Sequence, residues 1–382
     1  MSWTKNIVIL GSTGSIGENT LRIVEKLPDR FRVVGLAADR NVDRLLEQAA
    51  AFDVPVVALS DDKAAKRCAQ QAPAGLRVLR GVDGVSELAA MDAVDVVVAA
   101  IVGMAGLRPT LAALQHGTDV ALATKEVLVS AGHIVTRACV EHAAKLIPVD
   151  SEPSAIYQCL AGESSRMVRR LVLTASGGPF SHRVDVDLDK VTVAEALNHP
   201  NWDMGRKVTV DSATLMNKGL ETIECSWLFD MPIEQVDVII HPESIVHSMV
   251  EFMDGSMLAQ LSAPDMRFAI QCALTYPDRL DSELPGLNMS ELGALHFHEP
   301  DVDRFPCLQL ARLAAKAGGS MPAVMNAANE VAVELFLNEG IPFSGIWKLV
   351  ETVIEQHEVV ADPGLEQILE TDAWARRTAR SI

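Results

Sequence analysis

The chain has 382 residues, of which 49% are hydrophobic, 22% charged and only 4% aromatic. This composition excludes a mainly disordered protein, and the length favours two or three domains with aliphatic cores. The formal net charge of −18 argues against non-specific binding to nucleic acid or to an anionic membrane. The longest apolar run, of about 12 residues, is too short to span a bilayer. Six cysteines without a C-x-x-C pair, and an N-terminus without a signal-peptide pattern, predict a cytoplasmic protein with reduced thiols.

The first 150 residues alternate short aliphatic runs with amphipathic stretches. The predicted strands are Asn6–Leu10, Phe31–Leu36, Val54–Leu59, Val94–Ala99, Asp119–Leu122 and Leu146–Val149. The predicted helices are Asn19–Leu27, Val42–Ala51, Gly106–His116 and Val127–Lys145. This alternation is typical of a parallel sheet with helices on both faces.

After Asp150 the pattern changes. Strands are predicted at Met167–Thr174, Val236–Ile240, Ile245–Phe252 and Ser256–Ser262, which indicates a mixed or antiparallel sheet. The polar segment 181–207 is predicted to be a long loop, followed by a helix over Asp211–Phe229 with Asp211 or Ser212 as its N-cap. Residues 278–304 have the composition of a linker. Residues 305–382 have helical periodicity, with breaks near Gly318–Gly319, Gly340–Pro342 and Pro363–Gly364.

Three glycines follow the first predicted strand at positions 11, 14 and 17 and lead into the first helix. Glycine allows the backbone to turn tightly beside a pyrophosphate, and a helix N-terminus offers free N–H groups to the anion. We therefore predict a Rossmann-like, doubly wound dinucleotide-binding domain. At the end of the second strand, Asp39 favours the ribose of NAD whereas Arg40 favours the 2′-phosphate of NADP, so these residues alone leave the cofactor open.

Two carboxylates, Asp150 and Glu152, follow the last strand of this domain. In an extended backbone they would point to the same side, and oxygen ligands of this kind suit Mg²⁺ or Mn²⁺. The alternative is a pair of acids that caps the next helix. Farther along, Asn217, Lys218 and Glu221 have the spacing of one helix face, which makes Glu221 a candidate third metal ligand.

A phosphate site is also indicated. Ser176-Gly177-Gly178 after a strand has the form of a phosphate cradle, although an ordinary glycine turn is an equal alternative. His199 and Trp202 lie in the long loop, which is predicted to be a flexible lid. The segment His241–His247 is rich in possible metal ligands, but its strand-like setting favours a structural role, such as a subunit contact.

Several blocks resemble the 1-deoxy-D-xylulose 5-phosphate reductoisomerase family in collinear order. They are GSTGSIG (11–17), AIVGMAGL (100–107), TKE (124–126), VDSEPSAI (149–156), ASGGPF (175–180), HPNWDMGRKVTVDSATLMNKGLE (199–221), HPESIVHS (241–248) and MNAANEVAV (325–333). The resemblance implies an NADPH-dependent enzyme. It would rearrange and reduce 1-deoxy-D-xylulose 5-phosphate to 2-C-methyl-D-erythritol 4-phosphate in non-mevalonate isoprenoid synthesis.

The resemblance also implies a role for individual residues. The metal ligands would be Asp150, Glu152 and Glu221, for Mg²⁺, Mn²⁺ or Co²⁺. The substrate's hydroxyl and carbonyl end would contact Lys125, Ser151 and Glu152. Its phosphate would be held by Ser176, Ser212, Asn217 and Lys218, with His199 and Trp202 supplied by the lid. Lys125, Glu152, His199 and Trp202 are thus the catalytic candidates.

The cofactor contacts implied by the resemblance are Thr13, Gly14, Ser15, Ile16, Arg40, Asn41, Glu126 and Gly205. Thr124 is included with them, although the family often has asparagine there, and Asp39 stands where the family often has a small residue. The resemblance implies a homodimer and binding of hydroxamate–phosphonate inhibitors.

We therefore predict four segments and one activity. Residues 1–150 form the NADPH-binding domain, 151–277 the catalytic and dimerisation domain with a mixed sheet, 278–304 a linker and 305–382 a helical domain. One rival is another NAD(P)-dependent oxidoreductase, whose activity would survive a chelator. The other rival is a non-enzymatic NADPH sensor, which would bind the cofactor without turnover.

Overall fold

The computed structural model describes residues 4–181, 183, 185–202, 204–281 and 283–382. These residues form two compact units, and each unit is assembled from separate stretches of chain. Unit 1 comprises 1–127, 135–154 and 265–285, apart from the undescribed residues, and unit 2 comprises 128–134, 155–264 and 286–382. The predicted four-segment division stays a prediction alongside this description.

Unit 1 is built on seven strands. They are β1 (Lys5–Leu10), β2 (Phe31–Ala38), β3 (Val56–Leu59), β4 (Arg77–Arg80), β5 (Val96–Ala99), β6 (Asp119–Leu122) and β7 (Leu146–Pro148). Its helices are α1 (Ser15–Lys26), α2 (Val42–Ala51), α3 (Asp62–Gln71), α4 (Gly81–Ala89), α5 (Leu107–Gln115), α6 (Glu126–Glu141) and α7 (Ser151–Cys159), the last two shared with unit 2. A later helix, Met266–Thr275, also belongs to unit 1.

All seven strands are parallel, in the order β4-β3-β2-β1-β5-β6-β7. The order reverses direction between β1 and β5, which is where an open α/β sheet binds its ligand, at the carboxyl ends of the strands. The predicted α/β fold class and the doubly wound sheet are confirmed. Strand β4 is not among the predicted strands, because it is short, begins and ends with exposed arginines and buries only Leu79.

Unit 2 contains a smaller sheet. Its strands are β8 (Val168–Ala175), β9 (Val236–Ile240), β10 (Val246–Phe252) and β11 (Met257–Leu261). They lie in the order β11-β10-β8-β9, antiparallel except for the β8–β9 pair, so the predicted mixed sheet is confirmed.

The helices of unit 2 pack around this sheet and around one another. They are α8 (Val193–Ala196), α9 (Arg206–Ala213), α10 (Met216–Leu228), α12 (Met289–Leu292), α13 (Cys307–Ala317), α14 (Met321–Leu337), α15 (Gly345–Glu355) and α16 (Leu365–Ser381), with α11 being the helix Met266–Thr275 of unit 1. Most residues of helix α14 are buried, as a central helix requires, and the breaks predicted in 305–382 are present.

One predicted helix is wrong. Asp211–Phe229 is two helices, α9 and α10, with Leu215 in a left-handed conformation between them (φ 63°). Asp211 therefore lies inside α9 and caps neither helix. The break carries no glycine or proline, so its sequence has no strong stop signal, and the Thr214 hydroxyl bonds to the backbone on both sides of it.

Among the described residues, no helix combines the length and apolarity needed to cross a membrane. All six cysteines are thiols, as predicted.

Candidate active site

The glycine loop joins β1 to α1 in unit 1. Gly11 has φ 85°, and a Cβ there would lie 2.5 Å from the Ala100 carbonyl oxygen, so only glycine fits this turn. Helix α1 begins at Ser15, four residues before the predicted start. Gly14 precedes it with an extended backbone, and no described side chain caps the helix. The N–H groups of the first turn of α1 are therefore available to an anion.

Arg40 follows β2 at the carboxyl edge of the same sheet. Its side chain is 76% exposed and its Nε lies 3.5 Å from Asp39 and 3.4 Å from Asp61. Asp39 also accepts a 2.7 Å hydrogen bond from the Ser60 hydroxyl, which follows the neighbouring strand β3. Ser60 and Asp61 are not among the residues predicted from the sequence. Their position directly after a predicted strand was the available signal, because the ends of adjacent parallel strands share one edge.

Asn41 and Thr124 have local structural contacts. Asn41 caps α2 by accepting from the Arg44 N–H at 3.3 Å. The Thr124 hydroxyl donates to the Ile101 carbonyl at 2.7 Å, and Glu126, the first residue of α6, is buried.

Lys125 lies beside Asp150 in unit 1. Its Nζ is 2.5 Å from Asp150 Oδ2, and both side chains are largely buried. Asp150 Oδ1 accepts from the Ser151 N–H at 3.0 Å, and the Ser151 hydroxyl donates to Glu152 Oε2 at 2.7 Å. The chain thus holds an ammonium, a hydroxyl and two carboxylates together at the end of β7.

The extended backbone predicted for Asp150 and Glu152 is wrong. The backbone is not extended there, because α7 begins at Ser151 and places Glu152 in its first helical turn. Asp150 Oδ1 accepts from the first N–H of that helix, as the capping alternative predicts. Asp150 Oδ2 faces Lys125 instead.

Asn217, Lys218 and Glu221 form a cluster on α10 of unit 2, as their spacing predicted. Glu221 is fully buried, and its two oxygens accept from Asn217 Nδ2 and Lys218 Nζ, both at 2.6 Å. Lys218 is also buried. Each oxygen of the carboxylate therefore accepts a hydrogen bond, and a buried charge requires such compensation.

Gly219, the fourth residue of α10, lies where a second helix approaches closely. A Cβ there would lie 2.5 Å from the Cβ of Ala311 on α13. The glycine allows α10 and α13 to pack closely behind the cluster.

The Ser176 turn and His199 lie together. Ser176 Oγ is 2.8 Å from His199 Nε2 and accepts from the Gly178 N–H at 3.2 Å. A Cβ on Gly178 would lie 2.9 Å from the Ser212 carbonyl oxygen, so the turn packs directly against the last turn of α9. Ser176 and Ser212 are thereby brought to one region of unit 2.

Burial lowers the pKa of His199 to about 4, so its ring is neutral at pH 7. Its Nδ1 accepts from the N–H groups of Asn201 at 3.2 Å and Trp202 at 3.0 Å. The ring hydrogen therefore sits on Nε2 and is donated to Ser176, whose own hydrogen remains available to a further acceptor.

The segment 199–202 contacts the turn between β9 and β10. Asn201 Nδ2 donates to the Ser244 hydroxyl at 3.1 Å, and the Trp202 ring lies 6.0 Å from the His247 ring. His241, in the same turn, is fully buried and accepts from the Ile245 and Val246 N–H groups at 3.1 Å. These bonds agree with a structural role for His241. Asp203 lies outside the described residues, and Gly205 directly precedes α9.

Three family models match this chain in sequence order. Residues 7–132 match 1-deoxy-D-xylulose 5-phosphate reductoisomerase, and 146–229 match the C-terminal domain of the same enzyme. Residues 261–378 match the DXP reductoisomerase C-terminal domain.

Relatives with the same name align over nearly the whole chain. The 1-deoxy-D-xylulose 5-phosphate reductoisomerase of Pelotomaculum thermopropionicum is 53% identical, with 97% of each chain covered. The solved Zymomonas mobilis enzyme in complex with NADPH is 42% identical, with a TM-score of 0.93 and 99% of each chain covered. A solved DOX-P reductoisomerase with NADPH, fosmidomycin and magnesium is also 42% identical, with a TM-score of 0.92 and coverage of 99% and 98%. The chain belongs to the 1-deoxy-D-xylulose 5-phosphate reductoisomerase family, as its motifs predicted.

Proposed function

We propose that this protein converts 1-deoxy-D-xylulose 5-phosphate to 2-C-methyl-D-erythritol 4-phosphate, using NADPH and a divalent metal ion, in the isoprenoid pathway. The observation that carries the proposal is the 53% identity to a named relative over 97% of both chains. The expected NADPH and magnesium are the ligands named for the solved relatives.

Asp150, Glu152 and Glu221 together are the proposed ligands of Mg²⁺, Mn²⁺ or Co²⁺. A set of three carboxylates fits a hard divalent cation, since all the donors are oxygens and their negative charges need compensation. When bound, such a cation polarises a carbonyl oxygen as a Lewis acid. Lys125 and Ser151, which contact Asp150 and Glu152, are the proposed contacts to the hydroxyl and carbonyl end of the substrate.

Ser176, Ser212, Asn217, Lys218 and His199 are the proposed phosphate site. All five belong to unit 2, and Lys218 supplies the positive charge. Neutral His199 fixes the Ser176 hydroxyl so that its hydrogen can be donated to a phosphate oxygen. Because the phosphate is remote from the reacting carbons, binding energy gained there can orient the sugar and close the segment carrying Trp202.

The cofactor proposal places the pyrophosphate of NADPH on Thr13, Gly14, Ser15 and Ile16. Arg40 and Asn41 would bind the 2′-phosphate, and Thr124, Glu126 and Gly205 would make further contacts. The ion pairs of Arg40 are exposed and therefore weak, so a phosphate can replace them.

A homodimer, a cytoplasmic location and inhibition by hydroxamate–phosphonates complete the proposal. Fosmidomycin is bound in two solved relatives. Strand β11 lies at an edge of its sheet and exposes Met257 and Leu258, at 45% and 44%, which suits pairing with a second copy.

The decisive experiment is an NADPH-oxidation assay with 1-deoxy-D-xylulose 5-phosphate, run with Mn²⁺ and with EDTA. We expect turnover with Mn²⁺, formation of the branched polyol phosphate and loss of activity with EDTA. NADPH oxidation that survives EDTA and leaves the carbon skeleton unchanged would indicate an ordinary dehydrogenase. Tight NADPH binding without turnover under any metal condition would indicate a sensor.

A further inference from the structure

A buried carboxylate next to the proposed phosphate site has no role in the function described above. Asp211, inside α9, is 1% exposed and directly precedes Ser212. Its Oδ1 accepts a 2.8 Å hydrogen bond from Asn329 Nδ2, and Lys207 Nζ lies 2.8 Å from its Oδ2. Burial of a charge is costly unless partners compensate it. The role of Asp211 can therefore be inferred from the residues that compensate its charge.

Asn329 lies in the middle of α14 and is fully buried. Its amide oxygen has no hydrogen-bond partner among the described residues, so the structure tolerates an unsatisfied acceptor there. An aliphatic side chain would avoid that cost. What the amide supplies is its Nδ2 donor, which makes a charge-assisted bond to a residue 118 positions away in sequence.

The bond ties α14 to the junction between α9 and α10. The Thr214 hydroxyl donates to the Asp211 carbonyl at 3.2 Å and accepts from the Met216 N–H at 3.3 Å, across the left-handed Leu215. The Gly178 turn packs against the same end of α9. Residues of the proposed phosphate site flank this junction on both sides, with Ser212 before it and Asn217 and Lys218 after it.

We propose that Asp211 and Asn329 are positioning residues for the phosphate of the substrate. Their hydrogen bond holds the end of α9 at a fixed distance from α14, so that the Ser212 hydroxyl and the first turn of α10 face the same anion. This inference rests on the proposed phosphate site. It adds to that site two buried residues that do not touch the ligand themselves.

The test compares two buried asparagines of α14. Asn329→Ala should raise the KM for 1-deoxy-D-xylulose 5-phosphate and the inhibition constant of inorganic phosphate by about tenfold or more, with the KM for NADPH unchanged. Asn326→Ala is the matched control. Asn326 is also fully buried on α14, but its Nδ2 donates to Glu330 at 3.0 Å and not to α9. Loss of thermal stability should be similar in both variants, while the phosphate constants should change only in Asn329→Ala.

An exchange of the two side chains tests the contact itself. Asn329→Asp alone places two carboxylates against each other and should weaken phosphate binding further than Asn329→Ala. The double variant Asp211→Asn/Asn329→Asp restores an amide–carboxylate pair and should recover several-fold in both constants. Should Asn329→Ala fail to fold, Asn329→Ser, whose shorter hydroxyl cannot reach Asp211, replaces it.

Equal phosphate inhibition constants in the Asn329 and Asn326 variants, or no recovery in the exchanged pair, would overturn the positioning role. Wild-type protein that does not consume the sugar phosphate would instead overturn the proposed function, so the two failures are distinguishable.

Discussion

Glu221 is a buried carboxylate whose charge is compensated by neighbouring side chains on the same helix. The side chain is fully buried on α10, and Asn217 and Lys218 each donate to one of its oxygens. A cation bound to this carboxylate would compensate the same negative charge that these donors compensate. The ligand role of Glu221 is therefore the part of the metal proposal that a single substitution tests most directly.

Glu221→Gln keeps the size of the side chain and removes its charge. We expect Mn²⁺ affinity and turnover to fall at least tenfold, because one of three anionic ligands is lost, while the Kd of NADPH stays unchanged. Titration of Mn²⁺ against turnover measures the first effect. Glu234→Gln, at an exposed glutamate of the same unit, is the control and should match wild type. Near wild-type turnover of Glu221→Gln at low Mn²⁺ would exclude the three-carboxylate site.

Arg40 tests the cofactor proposal. Arg40→Ala should raise the KM for NADPH roughly ten- to hundredfold more than the KM for NADH, since a charge-assisted contact to the 2′-phosphate is lost. Steady-state kinetics with both cofactors give this ratio. Arg67→Ala removes an arginine that pairs with Asp43 on the surface of the same unit, and it should leave the ratio unchanged. An equal effect of Arg40→Ala on both cofactors contradicts the proposal.

The lowered pKa of His199 predicts that the stability of the protein depends on pH. Burial lowers its pKa to about 4, whereas an unfolded histidine titrates near 6.5. Between these values the unfolded chain binds more protons, so the stability contributed by neutral His199 is complete above about pH 6.5 and is lost as the pH falls towards 4. NMR titration of the ring, identified by comparison with His199→Gln, should give a midpoint near 4 in the absence of ligand. A midpoint near 6.5 would show that the ring is solvated.

Helix α10 depends on α13 for its position. The two helices approach so closely at Gly219 that a methyl group there would overlap Ala311. Helix propensity would favour alanine over glycine in the middle of a helix by about 1 kcal/mol. Packing and helix propensity therefore predict changes of opposite sign in the free energy of unfolding of Gly219→Ala.

We expect packing to dominate at Gly219. Gly219→Ala should lower the free energy of unfolding by about 1 kcal/mol or more, because an overpacked contact typically costs about 1–3 kcal/mol. Urea denaturation measures the change. Ala311→Gly in the same chain removes the overlap and should restore part of the loss. A stabilised Gly219→Ala variant would mean that α13 moves away at little cost.

Among the elements, those whose signal is local were predicted well. Helix Val42–Ala51 and strand Val236–Ile240 have the predicted bounds, because the hydrophobic period of each is uninterrupted. The helix predicted over Asp211–Phe229 failed because nothing at Thr214 and Leu215 signals a break. The hydrogen bonds of Thr214 to Asp211 and Met216 are local, but the bond from Asn329 of α14 to Asp211 exists only in the folded unit.

At the scale of the whole molecule, the proposed homodimer can be tested at the edge strand β11. Met257→Lys/Leu258→Lys places charges on the exposed edge strand and should shift the protein towards monomer in sedimentation velocity, since edge lysines oppose strand pairing. Met289→Lys, at a still more exposed methionine of α12, is the control and should sediment as wild type. A dimer unaffected by the β11 charges would place the interface elsewhere.

The sequence by itself determined the family, the parallel sheet, the glycine loop and the face shared by Asn217, Lys218 and Glu221. These features depend on spacing along one strand or helix, which side-chain period and backbone geometry dictate locally. Only the tertiary structure decided the remainder of the site. It placed Glu152 on a helix, set Lys125 against Asp150, gave His199 its neutral ring and joined Asn329 to Asp211. The physical reason is that burial and pairing between distant residues are properties of the folded core, and no local period records them.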